Sequence, residues 1–295
     1  ISTEKQQWAF SVLKNKAEKA SPQLSLLLAL MYERGIGTAK NMEAAIQWYK
    51  IAANNNSAAA QYVLGSYYFL GKHLNLNKLK AETLLQNSAR QGLSFAYYNL
   101  AVLKADKKDD PTPYLHVAAE QGNIKAMLYL ADKALLKSGS LEHAALLYKT
   151  LANKGNTTAE VKLGFMYQNG LHFKKDTKKA QHYYLKAAKK NNAMALFELG
   201  YLEQTGHNGS PDINKAIRWY EKSANKNFSP AMLALGFLYE TSKGNYSKAQ
   251  DWYEKAAINQ NPLAHYNQAL IFEYGKGIKY NEQEAKNHYL KVSNR

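Results

Sequence analysis

Small and apolar residues fall along this chain in three registers that advance together. Ala45, Ala81, Ala144, Ala180, Ala216, Ala249 and Ala285 form the first, mostly 36 residues apart with some steps of 33. The second lies eight residues on, at Ala53, Ala89, Ala119, Ala152, Ala188, Ala224, Ala257 and Ser293. The third runs Ala29, Gly65, Ala101, Ala131, Gly164, Gly200, Gly236 and Ala269. Self-similarity at this period predicts short supersecondary units stacked so that each touches only its neighbours. The expected fold is all-α, a right-handed α/α solenoid of about eight helix–loop–helix repeats forming one array over residues 1–295.

Residues 156–191 show the unit most clearly. Ala159, Leu163, Gly164 and Tyr167 fall at i, i+4, i+5 and i+8, one face of a helix. Asn169-Gly170 ends that helix, because glycine enters the left-handed cap conformation without a Cβ penalty. Asp176 then stands four residues before Ala180, where an N-cap would accept from the free amides of the next helix. Asn41, Asn77, Ser140, Asp212, Asn245 and Asn281 hold the same place in other units. Aromatic pairs recur after the first alanine, at Trp48-Tyr49, Tyr183-Tyr184, Trp219-Tyr220 and Trp252-Tyr253. Their fixed place beside helix-packing alanines assigns them to the core rather than to a stacking surface.

The unit boundaries follow as a half repeat at 1–20, then 21–55, 56–91, 92–121, 122–155, 156–191, 192–227, 228–260 and 261–295. In the half repeat, Trp8, Leu13 and Ala17 occupy second-helix positions, which predicts further repeats upstream. The third unit departs from the rest, since Lys107-Lys108-Asp109-Asp110-Pro111 replaces the glycine loop and the step shortens to 30. A short loop and a candidate hinge are expected there, with Pro111 in the first turn of the second helix.

The loop and its flanks carry a family resemblance. Leu163-Gly164-Phe165-Met166-Tyr167-Gln168-Asn169-Gly170, then Asp176, Ala180, Tyr183-Tyr184 and Lys186-Ala187-Ala188, resembles the Sel1-like repeat signature. Ile46 to Ala53 and Ile217 to Ala224 repeat its second half. Departures are alanine for the helix glycine in units one, three, four and eight, and Gln268 for the usual leucine. The resemblance implies a tetratricopeptide-related scaffold that holds other proteins and shares no catalytic residues. It also implies an exported bacterial member, periplasmic or secreted, of the virulence type with which Legionella enters host cells.

Composition narrows the chemistry. With 39 basic and 23 acidic residues the net charge is +16, and ten lysines against Glu160 and Asp176 between Tyr148 and Ala195 give a local +8. Lys174, Lys175, Lys178, Lys179, Lys186, Lys189 and Lys190 make up most of that excess and form a candidate anion-binding patch for phosphoinositide membrane or another acidic polymer. Tyr97, Met127 and Met232 interrupt any repeated polar code, which argues against nucleic acid. The absence of cysteine excludes disulfides and thiol catalysis. No run of about 18 apolar residues suggests a membrane span. None of the eight histidines shows metal spacing, and no nucleophile–base pair is visible, so no enzyme activity, metal or cofactor is expected.

Binding is expected on the concave side, lined by first helices. Two positions vary among units while the core registers stay constant. Two residues before the third register stand Asn99, Tyr129, Lys162, Glu198 and Asn267, and four before it stand Gln61, Tyr97, Met127, Glu160, Met232 and His265. These form the candidate surface for a protein partner.

Overall fold

A computed structural model describes residues 3–17, 21–207 and 209–293, in which every regular element is helical. Helix α1 (Thr3–Ala17) precedes eight helical pairs. In the first four, α2 (Pro22–Arg34) pairs with α3 (Met42–Asn54), α4 (Ala58–Leu70) with α5 (Lys78–Arg90) and α6 (Ser94–Asp106) with α7 (Thr112–Glu120), while α8 (Ile124–Leu135) is followed along the chain by α9 (Leu141–Asn153). In the last four, α10 (Thr157–Asn169) pairs with α11 (Thr177–Ala188), α12 (Ala193–Thr205) with α13 (Ile213–Ala224), α14 (Ser229–Thr241) with α15 (Tyr246–Ile258), and α16 (Pro262–Tyr274) with α17 (Glu282–Ser293). The architecture is an α/α solenoid divided into two compact units, residues 1–133 and 134–295. Within the first, each helix from α1 to α6 packs on the next; within the second, the same holds for each from α9 to α16.

Local chemistry sets the helix ends. The side chains of Asn41, Asn77, Asp176 and Asp212 each accept from the backbone amide three residues on, at 2.9 Å. Asn245 and Asn281 do so at 3.0 and 3.1 Å. Ser140 does not cap: a 3-10 turn over Ser138–Ser140 leads straight into α9 and sets the backbone without its hydroxyl. Gly170 closes α10 at φ 71, its amide donating to the Met166 carbonyl. Pro111 precedes α7 as its N-cap, and α7 is a short helix of 9 residues. Trp8 is 69% exposed, unlike the half-buried tryptophans of later pairs, because no neighbouring helix covers it among the described residues. The side chains of Ala17 and Ser293 lie outside the described residues, as do residues 18–20.

The core rests on one interlock repeated along the chain. Tyr49, Tyr148, Tyr184, Tyr220 and Tyr253, all on second helices, are fully buried. A buried phenol needs a hydrogen-bond partner. Tyr184 donates to Gln168 Oε1 at 2.8 Å, Tyr220 to Gln204 Oε1 at 2.7 Å and Tyr253 to Glu240 Oε2 at 2.9 Å. Each acceptor lies on the first helix of the same pair, four residues after the register glycine. That glycine is the seat of the ring, since a Cβ at Gly236 would sit 2.4 Å from Tyr253 and one at Gly164 2.4 Å from Tyr184.

Candidate functional site

The position four residues before the register glycine is a junction between successive repeats, and only in part a surface. Gln61, Met127, Glu160 and Met232 are buried. Gln61 Nε2 donates to the Ala53 carbonyl at 3.2 Å, and its Oε1 accepts from Gln91 Nε2 at 2.8 Å. Met232 Sδ accepts from Asn259 Nδ2 at 3.4 Å. Half-buried Tyr97 packs on the α5–α6 core, and His265 Nδ1 lies 3.4 Å from His288 Nδ1. Variation at this position therefore tracks what the preceding and following repeats supply. A buried group cannot meet a partner protein, so these four leave the candidate surface.

The position two residues before the glycine does reach solvent. Tyr129 is exposed, while Asn99, Lys162, Glu198 and Asn267 are half-buried. Asn99 Nδ2 donates to Ser66 Oγ on the preceding first helix at 2.9 Å. Burial pushes the Glu198 carboxyl above its ordinary range, where its charge also disfavours ionisation of Tyr184 and Tyr220.

In the second unit these positions form the middle of a stripe whose apolar members the sequence reading passed over. Phe165, Tyr201 and Phe237 immediately follow the register glycine and are 41%, 38% and 49% exposed. Two turns earlier stand Met194, Pro230 and Leu263, also exposed. Residues seven apart share a helix face about 10 Å apart along the axis. Pro230, Phe237, Leu263, Phe197 and Asn267 border a cavity of about 400 Å³ over α14. The available signal was the dipeptide Gly-Phe, Gly-Tyr, Gly-Phe recurring at one step of the register. It was obscured because most recurring aromatics, those on the second helices, are core.

The seven candidate lysines do not make one patch. Lys174, Lys175, Lys178 and Lys179 sit at the start of α11, whereas Lys186, Lys189 and Lys190 sit at its end, about 15 Å away at 1.5 Å per residue. Lys179 pairs with Asp176 at 3.6 Å and lies over the Tyr167 ring. Lys186 and Lys190 are held by Glu160 Oε1 at 3.3 and 3.1 Å. A pre-neutralised pair at one end and a separate cluster at the other do not present a continuous face to a membrane.

Among the described residues, no group of three or more histidine, aspartate or glutamate side chains is placed to hold a metal ion. Among the same residues, no helix is long and apolar enough to cross a membrane.

Helical pairs with glycine-seated tyrosines, capped second helices and a solvent-facing row on the first helices define a repeat scaffold. The Sel1 repeat family model matches residues 25–57, 58–93, 157–192, 193–228, 229–261 and 262–294, so the chain belongs to the Sel1 repeat family. The intervening stretch holds α6 to α9, where alanine replaces the register glycine. An uncharacterized protein of Neisseria meningitidis serogroup B is 28% identical over 174 residues, 57% of this chain and 35% of that protein. The ERAD-associated E3 ubiquitin-protein ligase component HRD3B of Arabidopsis thaliana is 24% identical over 90% of this chain and 41% of its own. The chain thus spans well under half the length of these curated relatives. Among solved structures, a protective antigen present in uropathogenic Escherichia coli strains and displaying an SLR fold aligns with a TM-score of 0.80 and 26% identity, covering 97% of this chain and 64% of that one. A Sel1 repeat protein from Oxalobacter formigenes aligns at 0.73 with 21% identity, over 96% of this chain and 86% of that one, a likeness of fold. Sel1 repeats are a non-enzymatic fold, and their proteins are generally protein–protein interaction scaffolds.

Proposed function

We propose that this chain is a non-catalytic adaptor that holds a partner protein on the exposed stripe of first helices in its second unit, α10 to α16. The observation that carries this reading is the pair of parallel apolar rows, Phe165, Tyr201 and Phe237 beside Met194, Pro230 and Leu263. Large apolar side chains held on rigid helices at a regular spacing are what an interface core requires, with aromatic anchors supplying most of the energy. Glu198, Lys162 and Asn267 between the rows supply polar selectivity.

The test is affinity capture with the intact chain and a Phe165→Ser/Tyr201→Ser/Phe237→Ser variant in parallel, with circular dichroism confirming the helices. A specific partner should be retained by the intact chain and by Lys174→Gln/Lys175→Gln, and lost from the triple variant. Retention by the triple variant overturns the reading. Export to the periplasm or beyond is a second part of the proposal, supported by the family resemblance and by the relationship to the uropathogenic antigen. Cell fractionation with an antibody to the chain tests it, and recovery only with cytoplasmic markers would refute it.

A further inference from the structure

The junction between α10 and α11 contains its own buried carboxylate. Glu160 has no exposed surface, and its Oε1 lies 3.3 Å from Lys186 Nζ and 3.1 Å from Lys190 Nζ. Lys190 also donates to the Gly155 carbonyl at 2.8 Å, in a turn where Gly155 takes φ 80. At the next junction, 36 residues on, Lys222 and Lys226 repeat Lys186 and Lys190, and Asn191 repeats the left-handed turn at φ 59. The glutamate is missing: Leu196 stands where Glu160 would be.

The result is a basic pocket without its acid. Lys189, Lys222 and Lys226 all border a cavity of about 510 Å³ between α11 and α13, walled by Trp219 and floored by Leu196. Among the described residues, none of these three lysines takes part in an ion pair. Lys222 Nζ is held 4.5 Å above the Trp219 ring, which keeps one ammonium at the wall. Lysines near helix C-termini complement the macrodipole. That alone does not account for three of them converging from two helices on one apolar-floored groove. The neighbouring α13–α15 junction carries Asn225, Lys255 and Asn259 at the equivalent places, a single cation.

We infer that the α11–α13 groove binds an acidic peptide, one carboxylate of which pairs with Lys222 and Lys226 above Leu196 as Glu160 pairs with Lys186 and Lys190 one repeat earlier. Charge complementarity names the carboxylate, and Trp219 with Leu196 calls for an apolar residue beside it. The site lies between second helices and is independent of the first-helix stripe.

The test uses the full chain and a fluorescein-labelled twelve-residue peptide of repeating Glu-Glu-Leu, read by fluorescence anisotropy. One peptide per chain should bind. Lys222→Gln/Lys226→Gln should weaken it about tenfold or more, while Lys174→Gln/Lys175→Gln, an equal change of charge, leaves it within about twofold. Replacing Glu160 by Leu should open the equivalent pocket one repeat earlier and raise the stoichiometry to two. The all-Gln peptide should not bind. Equal weakening by both lysine pairs, an unchanged stoichiometry in a folded Glu160→Leu chain, or preferential capture of phosphatidylserine vesicles through Lys222 and Lys226 would each overturn the proposal.

Discussion

The register glycines matter at the scale of single atoms. In an exposed helix Gly→Ala gains up to about 1 kcal/mol from propensity. At Gly236 the new methyl would meet the Tyr253 ring at 2.4 Å, and overpacking of this kind costs about 1–3 kcal/mol. Gly236→Ala should therefore lower the urea midpoint, whereas Gly139→Ala, with nothing near its Cβ position, should not. The buried tyrosines of the second helices give a second expectation. Burial, with the nearby Glu240 carboxylate adding to it, pushes the Tyr253 hydroxyl far above its ordinary value, and Tyr49, Tyr184 and Tyr220 rise for the same first reason. Above about pH 10 the unfolded chain loses these protons and the folded chain keeps them, so stability falls as pH rises. The tyrosinate absorbance of these buried phenols should consequently form a late phase, after the exposed tyrosines have ionised, in step with the loss of helical signal. Glu198 is also raised, by burial, so its contribution is complete below the unfolded carboxyl pKa and is lost as pH rises through the folded one. Glu198→Gln should raise the denaturation midpoint at pH 8 and leave it unchanged near pH 4.

At the scale of the helix, cap and packing partner come from different distances along the chain. Each N-cap reaches an amide three residues away, which is why six of the seven expected caps appear and why Ser140, displaced by a 3-10 turn, does not. The outward face of a first helix is set by neighbours about a repeat away. Gln61 meets Gln91 and Asn99 meets Ser66, separations of 30 and 33 residues. Asp212→Ala, which removes a cap held at 2.9 Å, should lower the thermal or urea midpoint and leave the exposed stripe of α12 and α14 intact.

At the scale of the molecule, residues 1–133 and 134–295 form two compact units, and in the stretch between the matched repeats the α6–α7 loop has no glycine. Leu136 is 87% exposed beside Lys137, just beyond the end of α8. Exposed connections with little packing are where proteases cut first. Brief trypsin treatment should nick after Lys137, giving an N-terminal and a C-terminal fragment by mass spectrometry. First cleavage within 157–293 would contradict the division. Both candidate sites lie in the second unit, so partner capture and acidic-peptide binding should follow the C-terminal fragment.

The repeat, its helical pairs, its capped second helices and the burial of the second aromatic of each pair were legible in the sequence, whereas the first of each pair is only half-buried. They depend on spacings of three to eight residues repeated many times, and repetition separates a structural rule from chance. Tertiary structure alone decided which variable positions are free. Glu160 and Glu198 are both variable acids on first helices, yet one is buried against lysines 26 and 30 residues away and the other is half-buried beside two tyrosines. Likewise Lys186 and Lys222 hold the same place in successive repeats, but the residue 26 positions earlier is Glu160 for one and Leu196 for the other, and of the two only Lys186 is ion-paired among the described residues. Ion pairing and exposure are properties of groups brought together across repeats, and no local pattern encodes them.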